Sequence, residues 1–414
     1  MISTVILALA IICFVMVVTE DIIHINKAKT TLFFGTLSWI LAYIFPINHD
    51  PSAQINHQFS ENLLEIATLW LFLMSAMTFV AYLNSKGFIS AIVQRILPAQ
   101  VSERSLMYII GVFAFVFSSF ADNVTATLVS IAVITSLKLN VKERLKYATL
   151  IIFAVNSGGV SLITGDVTTL MIFLSNKVSI SDLFVLIAPS LFGVMVLATL
   201  LSMKFKGTVS FEQEKTPIAK ADIAIAVLFL STIIGTLIAN IFYNIPPVLT
   251  FLFGLSVMFL AAQYLNRKKT NQNILNYIRE VEYDALLFFL GVLLIVGILK
   301  EIGVLSGFTV LYQHLPAIQV NYLVGFLSSI IDNVPLTAAL LKADVNMPAS
   351  EWLTLTYATG VGGSILVIGS AAGIIAMSKV KELNFMSYLR NTIYLIISYS
   401  IGYVGVYFAA KWFM

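Results

Sequence analysis

Ser118-Ser119-Phe120-Ala121-Asp122-Asn123-Val124-Thr125-Ala126-Thr127 and Ser328-Ser329-Ile330-Ile331-Asp332-Asn333-Val334-Pro335-Leu336-Thr337 agree at six of ten positions. Each acid-amide pair interrupts an otherwise apolar run. A second pair of segments follows: Gly158-Gly159 with Gly165 recurs as Gly362-Gly363 with Gly369, at the same internal spacing. The order of the motifs is kept, so the chain reads as a duplication, and a duplication decides the fold.

The surroundings of these motifs are those of a membrane protein. Of 414 residues, 59% are hydrophobic and only 11% are charged, whereas about a quarter of an ordinary soluble domain is charged. Apolar runs of spanning length, about 20 residues, lie near 2-19, 31-46, 62-84, 148-174, 183-203, 221-243, 247-265, 284-299, 352-378 and 391-412. The interrupted runs 105-137 and 319-341 read as helix-turn-helix hairpins. The first span lacks a basic leader and a cleavage site, so it reads as retained. A single cysteine, Cys13, excludes an intrachain disulfide and a thiolate cluster. The net charge of +3 carries no implication of nucleic acid, because basic residues in such chains report topology.

Both ends of the first hairpin are basic, with Arg104 before it and Lys138, Lys142, Arg144 and Lys146 after it, which places them in the cytoplasm. Propagated along the chain, that assignment puts every Lys and Arg inside except Lys177, Lys300, Lys342 and Lys411, with both termini extracytoplasmic. The expected architecture is an all-α polytopic membrane protein of two inverted-topology repeats, each with five spans, one helical hairpin and one glycine-broken helix. The repeats are 1-205, with hairpin 105-137, and 221-414, with hairpin 319-341, joined by a cytoplasmic linker over 206-220. The loops agree: 20-30 carries Lys27 and Lys29, while its counterpart 240-247 is uncharged. Loop 47-61 has no Lys or Arg, while 266-282 carries Arg267, Lys268, Lys269 and Arg279. Inverted repeats with interrupted helices are a transporter architecture with a midplane site.

An ionised Asp at the centre of a span costs about 2.5–3.5 kcal/mol, so Asp122, Asp166 and Asp332 need compensation. Asp122 and Asp332 could serve only as helix caps; the alternative is that each, with its amide neighbour, offers hard oxygens to a cation. Ser118, Ser119, Ser328 and Ser329 could add oxygens. The paired glycines Gly158, Gly159, Gly362 and Gly363 either let a helix open and free its carbonyls or allow close helix packing. Asn156, Ser157, Ser161, Thr164, Asp166, Thr168 and Thr169 surround the first pair; Thr359, Ser364 and Ser370 surround the second. Asp166 breaks the symmetry, since its counterpart is Ser370. Glu65 and Asp284 occupy the first turns of corresponding spans, where an acid suits the helix dipole. His24, His49, His57 and His314 fall in or beside loops, without metal-site spacing. No Lys or Arg lies inside either hairpin or either glycine-broken run, which favours a cationic substrate.

Segments Ser118 to Thr127, Asn156 to Thr169, Ser328 to Leu341 and Ala358 to Gly373 resemble the NhaD-type sodium/proton antiporters of the ion transporter superfamily. The resemblance spans nearly the whole chain. It implies a bacterial inner-membrane, homodimeric antiporter that exchanges Na⁺ or Li⁺ for H⁺ at alkaline pH and needs no cofactor. It also implies roles for Asp122, Asn123, Asn156, Asp166, Thr168, Thr169, Ser328, Asp332, Asn333, Ser364 and Ser370, with Glu65 and Asp284 as outer polar residues. Thr125 stands where the second copy has Pro335, which leaves the geometry of the first tip open. Two other readings stand beside it: Na⁺-coupled symport of a small anion such as a dicarboxylate, and an intramembrane aspartyl protease. The protease motifs Tyr283-Asp284 and Gly165-Asp166 come in reversed order here.

Overall fold

Asp122 and Asp332 each stand where one helix has ended and another begins. The computed structural model describes residues 2–23, 25–45, 51–96, 100–137, 139–210, 218–265, 276–279, 281–343 and 345–414. His24, His49, Lys138 and the Arg267-Lys268-Lys269 run lie outside them. The described helices of eight or more residues fall nine to each half. In the first half they are α1 (Ile2–Val18), α2 (Lys27–Ile44), α3 (Pro51–Ser85), α4 (Phe88–Ile96), α5 (Glu103–Phe120), α6 (Asn123–Thr135), α7 (Val141–Gly159), α8 (Val167–Leu174) and α9 (Ile187–Ser202). In the second they are α10 (Lys220–Tyr243), α11 (Pro247–Leu265), α12 (Tyr283–Glu301), α13 (Ser306–His314), α14 (Ala317–Ser328), α15 (Asn333–Lys342), α16 (Ala349–Gly362), α17 (Ala371–Lys379) and α18 (Thr392–Phe413).

α5 ends and α6 begins on either side of Asp122, as α14 and α15 do on either side of Asp332. The runs 148-174 and 352-378 are indeed broken, into α7 and α8 and into α16 and α17. Three features depart from the expectation. The run 62-84 is the end of a longer helix, α3, and the short helices α4 and α13 precede the hairpins. The linker 206-220 contains β2 (Thr208–Ser210), which pairs antiparallel with β1 (Gln100–Ser102). That ladder ties the start of α5 to the chain leaving α9, and Glu103 Oε2 accepts from the Gly207 N–H at 3.0 Å.

The helices pack as two bodies. In the first, α2 lies along α12, joined by α1, α3, α10 and α11. The α2–α12 approach is close: Trp39 Nε1 donates to the Leu294 carbonyl at 2.9 Å. In the second body α5, α6, α7, α8 and α9 interleave with α14, α15, α16, α17 and α18. The two meet chiefly where α12 packs on α15. At the centre of the second body every residue of α7 from Tyr147 to Gly159 is buried, as expected of a helix that is apolar on all sides.

The outside is lipid-like. On α10, Ile223, Val227, Leu230, Ile234, Ile238 and Ile241 form an exposed apolar stripe, and Ile393, Ile397, Ile401, Val404 and Phe408 do so on α18. Six described helical segments are long and apolar enough to cross a membrane. The protein is an all-α polytopic membrane protein.

The glycines serve both purposes set out above. α7 ends at Gly159, and α8 does not start until Val167. At the same time a Cβ on Gly158 would stand 2.0 Å from the Phe115 carbonyl oxygen, and one on Gly362 would stand 2.4 Å from that of Gly325. In each half the first hairpin arm thus rests backbone to backbone on the broken helix. Gly158→Ala should lower stability by about 3 kcal/mol or more, because the obstructing atoms are backbone. Gly235→Ala, whose added methyl meets nothing within 4 Å, should leave it unchanged or slightly raised. Thermal unfolding of the detergent-solubilised protein measures both; equal melting of Gly158→Ala and the parent would refute the close-packing account.

Candidate ion-binding site

The break between α7 and α8 places Asp166 as the N-cap of α8, where Oδ1 accepts from the Thr168 N–H at 3.0 Å. Its other oxygen faces both hairpin tips. Asn123 Nδ2 donates to Oδ2 at 3.1 Å and Asn333 Nδ2 at 3.4 Å. One buried carboxylate, 5% exposed, is therefore held between two amides that are 210 residues apart in the chain. Asn123 is itself positioned by the Ser118 hydroxyl, which donates to its Oδ1 at 2.8 Å. Asn156 Oδ1 accepts from Asn123 Nδ2 at 3.4 Å, and Asn156 Nδ2 donates to Ser370 Oγ at 2.9 Å. The acid of one half and the serine that replaces it in the other thus join one network.

The hairpin acids behave differently from one another. Asp122 caps α6 with both oxygens: Oδ1 accepts from the Thr125 N–H at 2.9 Å and Oδ2 from the Thr125 hydroxyl at 2.8 Å. Asp332 caps α15 through Oδ1, which accepts from the Val334 N–H at 3.2 Å. Pro335 stands in the place of Thr125 and has neither an N–H nor a hydroxyl. Asp332 Oδ2 is taken instead by Lys27 Nζ at 3.0 Å.

These groups line a cavity of about 220 Å³ whose described lining includes Glu20, Asp122, Asp166, Glu282, Asp284 and Asp332, with Lys27, Asn26, Asn123, Asn333 and Ser370. Among the described residues no three His, Cys, Asp or Glu side chains converge as a metal-holding group.

The other expected residues lie around this centre. Ser119 Oγ donates to the Gly158 carbonyl at 3.0 Å, and Ser328 Oγ to that of Thr359 at 2.6 Å, each pinning a hairpin to its broken helix. Ser329 and Ser364 turn back on the Phe326 and Val361 carbonyls. The buried Thr169 hydroxyl has no hydrogen-bond partner among the described residues. Gly159 lies against Asn123, whose Oδ1 an added Cβ would meet at 2.4 Å, and Gly363 lies against the Gly369 carbonyl. Asp284 accepts from Asn26 Nδ2 at 3.1 Å. Glu65 stands apart from the cavity and pairs with Lys342.

Sequence reasoning missed three residues. Lys27 read as a topology marker of the loop 20-30, Glu20 begins the same loop and Glu282 ends the loop 266-282, yet all three line the cavity. Lys27 also qualifies the inference that no base serves the acids: none lies within the hairpins or broken runs, but one reaches in from the start of α2. Burial, then the nearby charges of Asp122 and Asp284, push Glu282 up to about 7.

The comparisons with known proteins agree with the motifs. The family model described as citrate transporter (CitMHS) matches residues 2–373. A Na(+)/H(+) antiporter NhaD of Vibrio cholerae serotype O1 is 32% identical over 428 residues, covering 95% of this chain and 89% of that protein. One from Alkalimonas amylolytica is 30% identical over 404 residues, covering 91% and 84%. Sodium/proton antiporter 1 of Arabidopsis thaliana is 26% identical over 393 residues, covering 90% and 66%. The chain belongs to the citrate-transporter family and to the NhaD-type sodium/proton antiporters.

Proposed function

We propose that the protein exchanges Na⁺ or Li⁺ for H⁺ by alternating access, with the two ions competing for Asp166 and the hairpin acids. The observation that carries this reading is the lining of the cavity: among the described residues, six carboxylates against one ammonium. A di- or tricarboxylate would meet net repulsion there, and a small cation would meet attraction. The names of the antiporter relatives point the same way, so symport of an organic anion is the weaker alternative. The relatives are transporters, which also speaks against the protease reading.

The amides supply the exchange step. Asn123 and Asn333 each turn an NH2 toward Asp166 Oδ2. A cation at that oxygen reverses the requirement, and rotation of each side-chain amide presents its oxygen instead. Ser118 permits the rotation at Asn123, since a hydroxyl both donates and accepts. An uncompensated carboxylate in apolar surroundings is costly, so Asp166 is occupied by a proton or by a cation, and loading one expels the other. By the loop charges, the end of the cavity at Glu20, Lys27, Glu282 and Asp284 is cytoplasmic, so this is the side from which cytoplasmic ions enter in an inward-facing state. The inverted repeat then supplies the outward-facing state by exchanging the roles of the halves. We further propose residence in a bacterial inner membrane, as a homodimer with both termini outside.

Asp166→Asn should abolish Na⁺-dependent proton flux in everted vesicles, read by dequenching of a pH-gradient dye. Retention of full flux would remove Asp166 from the mechanism. Labelled citrate and dicarboxylate uptake should stay at the level of empty vesicles.

Glu282 provides a pH-dependent check. It is largely protonated below pH 7 and ionised above, so its charge draws cations to the vestibule only on the alkaline side. Glu282→Gln should raise the KM for Na⁺ roughly two- to threefold at pH 8.5, the effect of one solvent-screened charge, and leave it unchanged at pH 6. An equal effect at both values would exclude the titration.

A further inference from the structure

We infer that Lys27 is a tethered cation that occupies Asp332 whenever no transported ion does, so that an entering Na⁺ must displace it. The inference rests on the antiport reading and adds to it a competitor that sets ion affinity.

The contact joins the two bodies. Lys27 opens α2, in the body built around α2 and α12, and Asp332 caps α15 in the other. The pair is largely sheltered, with side-chain exposures of 19% and 10%. Two further contacts fix the lysine. Its backbone N–H donates to Glu20 Oε1 at 3.0 Å, and its ammonium lies 4.4 Å from the centre of the Phe288 ring on α12. The ammonium is thus built into the cavity wall rather than swept along it.

The acid is equally prepared. At Asp122 both oxygens are satisfied within the tip by Thr125. At Asp332, Pro335 removes those two donors, and Oδ2 is left facing outward for a cation. Lys27 fills that place, and Asn333, the next residue, reaches Asp166. A Na⁺ that engages the second tip therefore competes with an ammonium that is always present at high local concentration. Lys342, the last residue of α15, pairs with Glu65 on α3, so α15 is held to the other body at both ends. Only the Lys27 end is also an ion ligand, and displacement there couples ion occupancy to release of the helix.

Wild-type protein tests this directly. Reductive methylation of Lys27, followed by mass spectrometry of purified protein, should rise severalfold when Na⁺ is added, relative to choline at equal ionic strength. Unchanged or reduced methylation would overturn the inference. In vesicles, Lys27→Gln should lower the KM for Na⁺ about tenfold, the effect of one sheltered charge pair, without raising kcat. Lys27→Arg, which keeps a tethered cation, should restore the KM to within about twofold. Lys342→Gln, which loosens the same helix at the end remote from the cavity, should leave the KM for Na⁺ unchanged. An unaltered or raised KM in Lys27→Gln would also overturn the inference. If wild-type vesicles show no Na⁺-dependent proton flux, it is the antiport reading that fails.

Discussion

A carboxylate buried in the middle of a membrane protein must be satisfied or neutralised, and Asp166 is where this chain meets that constraint. Its two oxygens accept from a backbone N–H of its own break and from one amide of each hairpin. Each donor depends on a further feature. The backbone donor exists because α7 ends at Gly159 and α8 begins at Val167, leaving a helix N-terminus inside the protein. The two amides reach the same oxygen because both hairpin tips meet at the break. The tips can sit that deep because Gly158 and Gly362 let the hairpin arms touch the broken helices at backbone distance. The glycines, serines and asparagines that looked like separate motifs are thus successive layers around one charge.

The matching segments around Asp122 and Asp332 give the site its shape, and the positions where they differ give it direction. Two substitutions between otherwise matching segments matter most. Ser370 in place of a second Asp166 leaves one acid rather than two at the breaks between α7 and α8 and between α16 and α17. Pro335 in place of Thr125 opens one hairpin acid to an external cation while the other stays closed within its own turn. A perfectly symmetric pair of tips would hold two equivalent carboxylates, both capped or both open.

Much of this was legible in the sequence because the informative residues were out of place for their surroundings. Asp-Asn in an apolar run signals a break, and its recurrence 210 residues later signals a repeat. Gly-Gly followed by polar residues signals a helix that cannot continue. Asp166 stood out as the acid without a counterpart. Lys27 and Glu282 were invisible for the opposite reason: each lies at the edge of a span, where a charge is ordinary and reads as topology. Nothing in periodicity says which helix start lies beside which hairpin tip, and Lys27 is 305 positions from Asp332. Hairpin breaks are encoded locally, whereas the meeting of the two bodies is decided only by tertiary packing.

That difference bears on how ion specificity is built. The family model that matches this chain is described by citrate, and the scaffold of hairpins and broken helices does not by itself choose the sign of the substrate. Helix N-termini and several amides would suit an anion as readily as hydroxyls and carbonyls suit a cation. On the antiport reading the choice falls to side chains placed on that scaffold: Asp166 at a helix start, and Asp122 and Asp332 capping the hairpin arms. With its own carboxylates occupying the anion-binding N-termini, the protein has already filled the positions an anionic substrate would use. What remains for a ligand is the outer side of those carboxylates, and only a cation is attracted there.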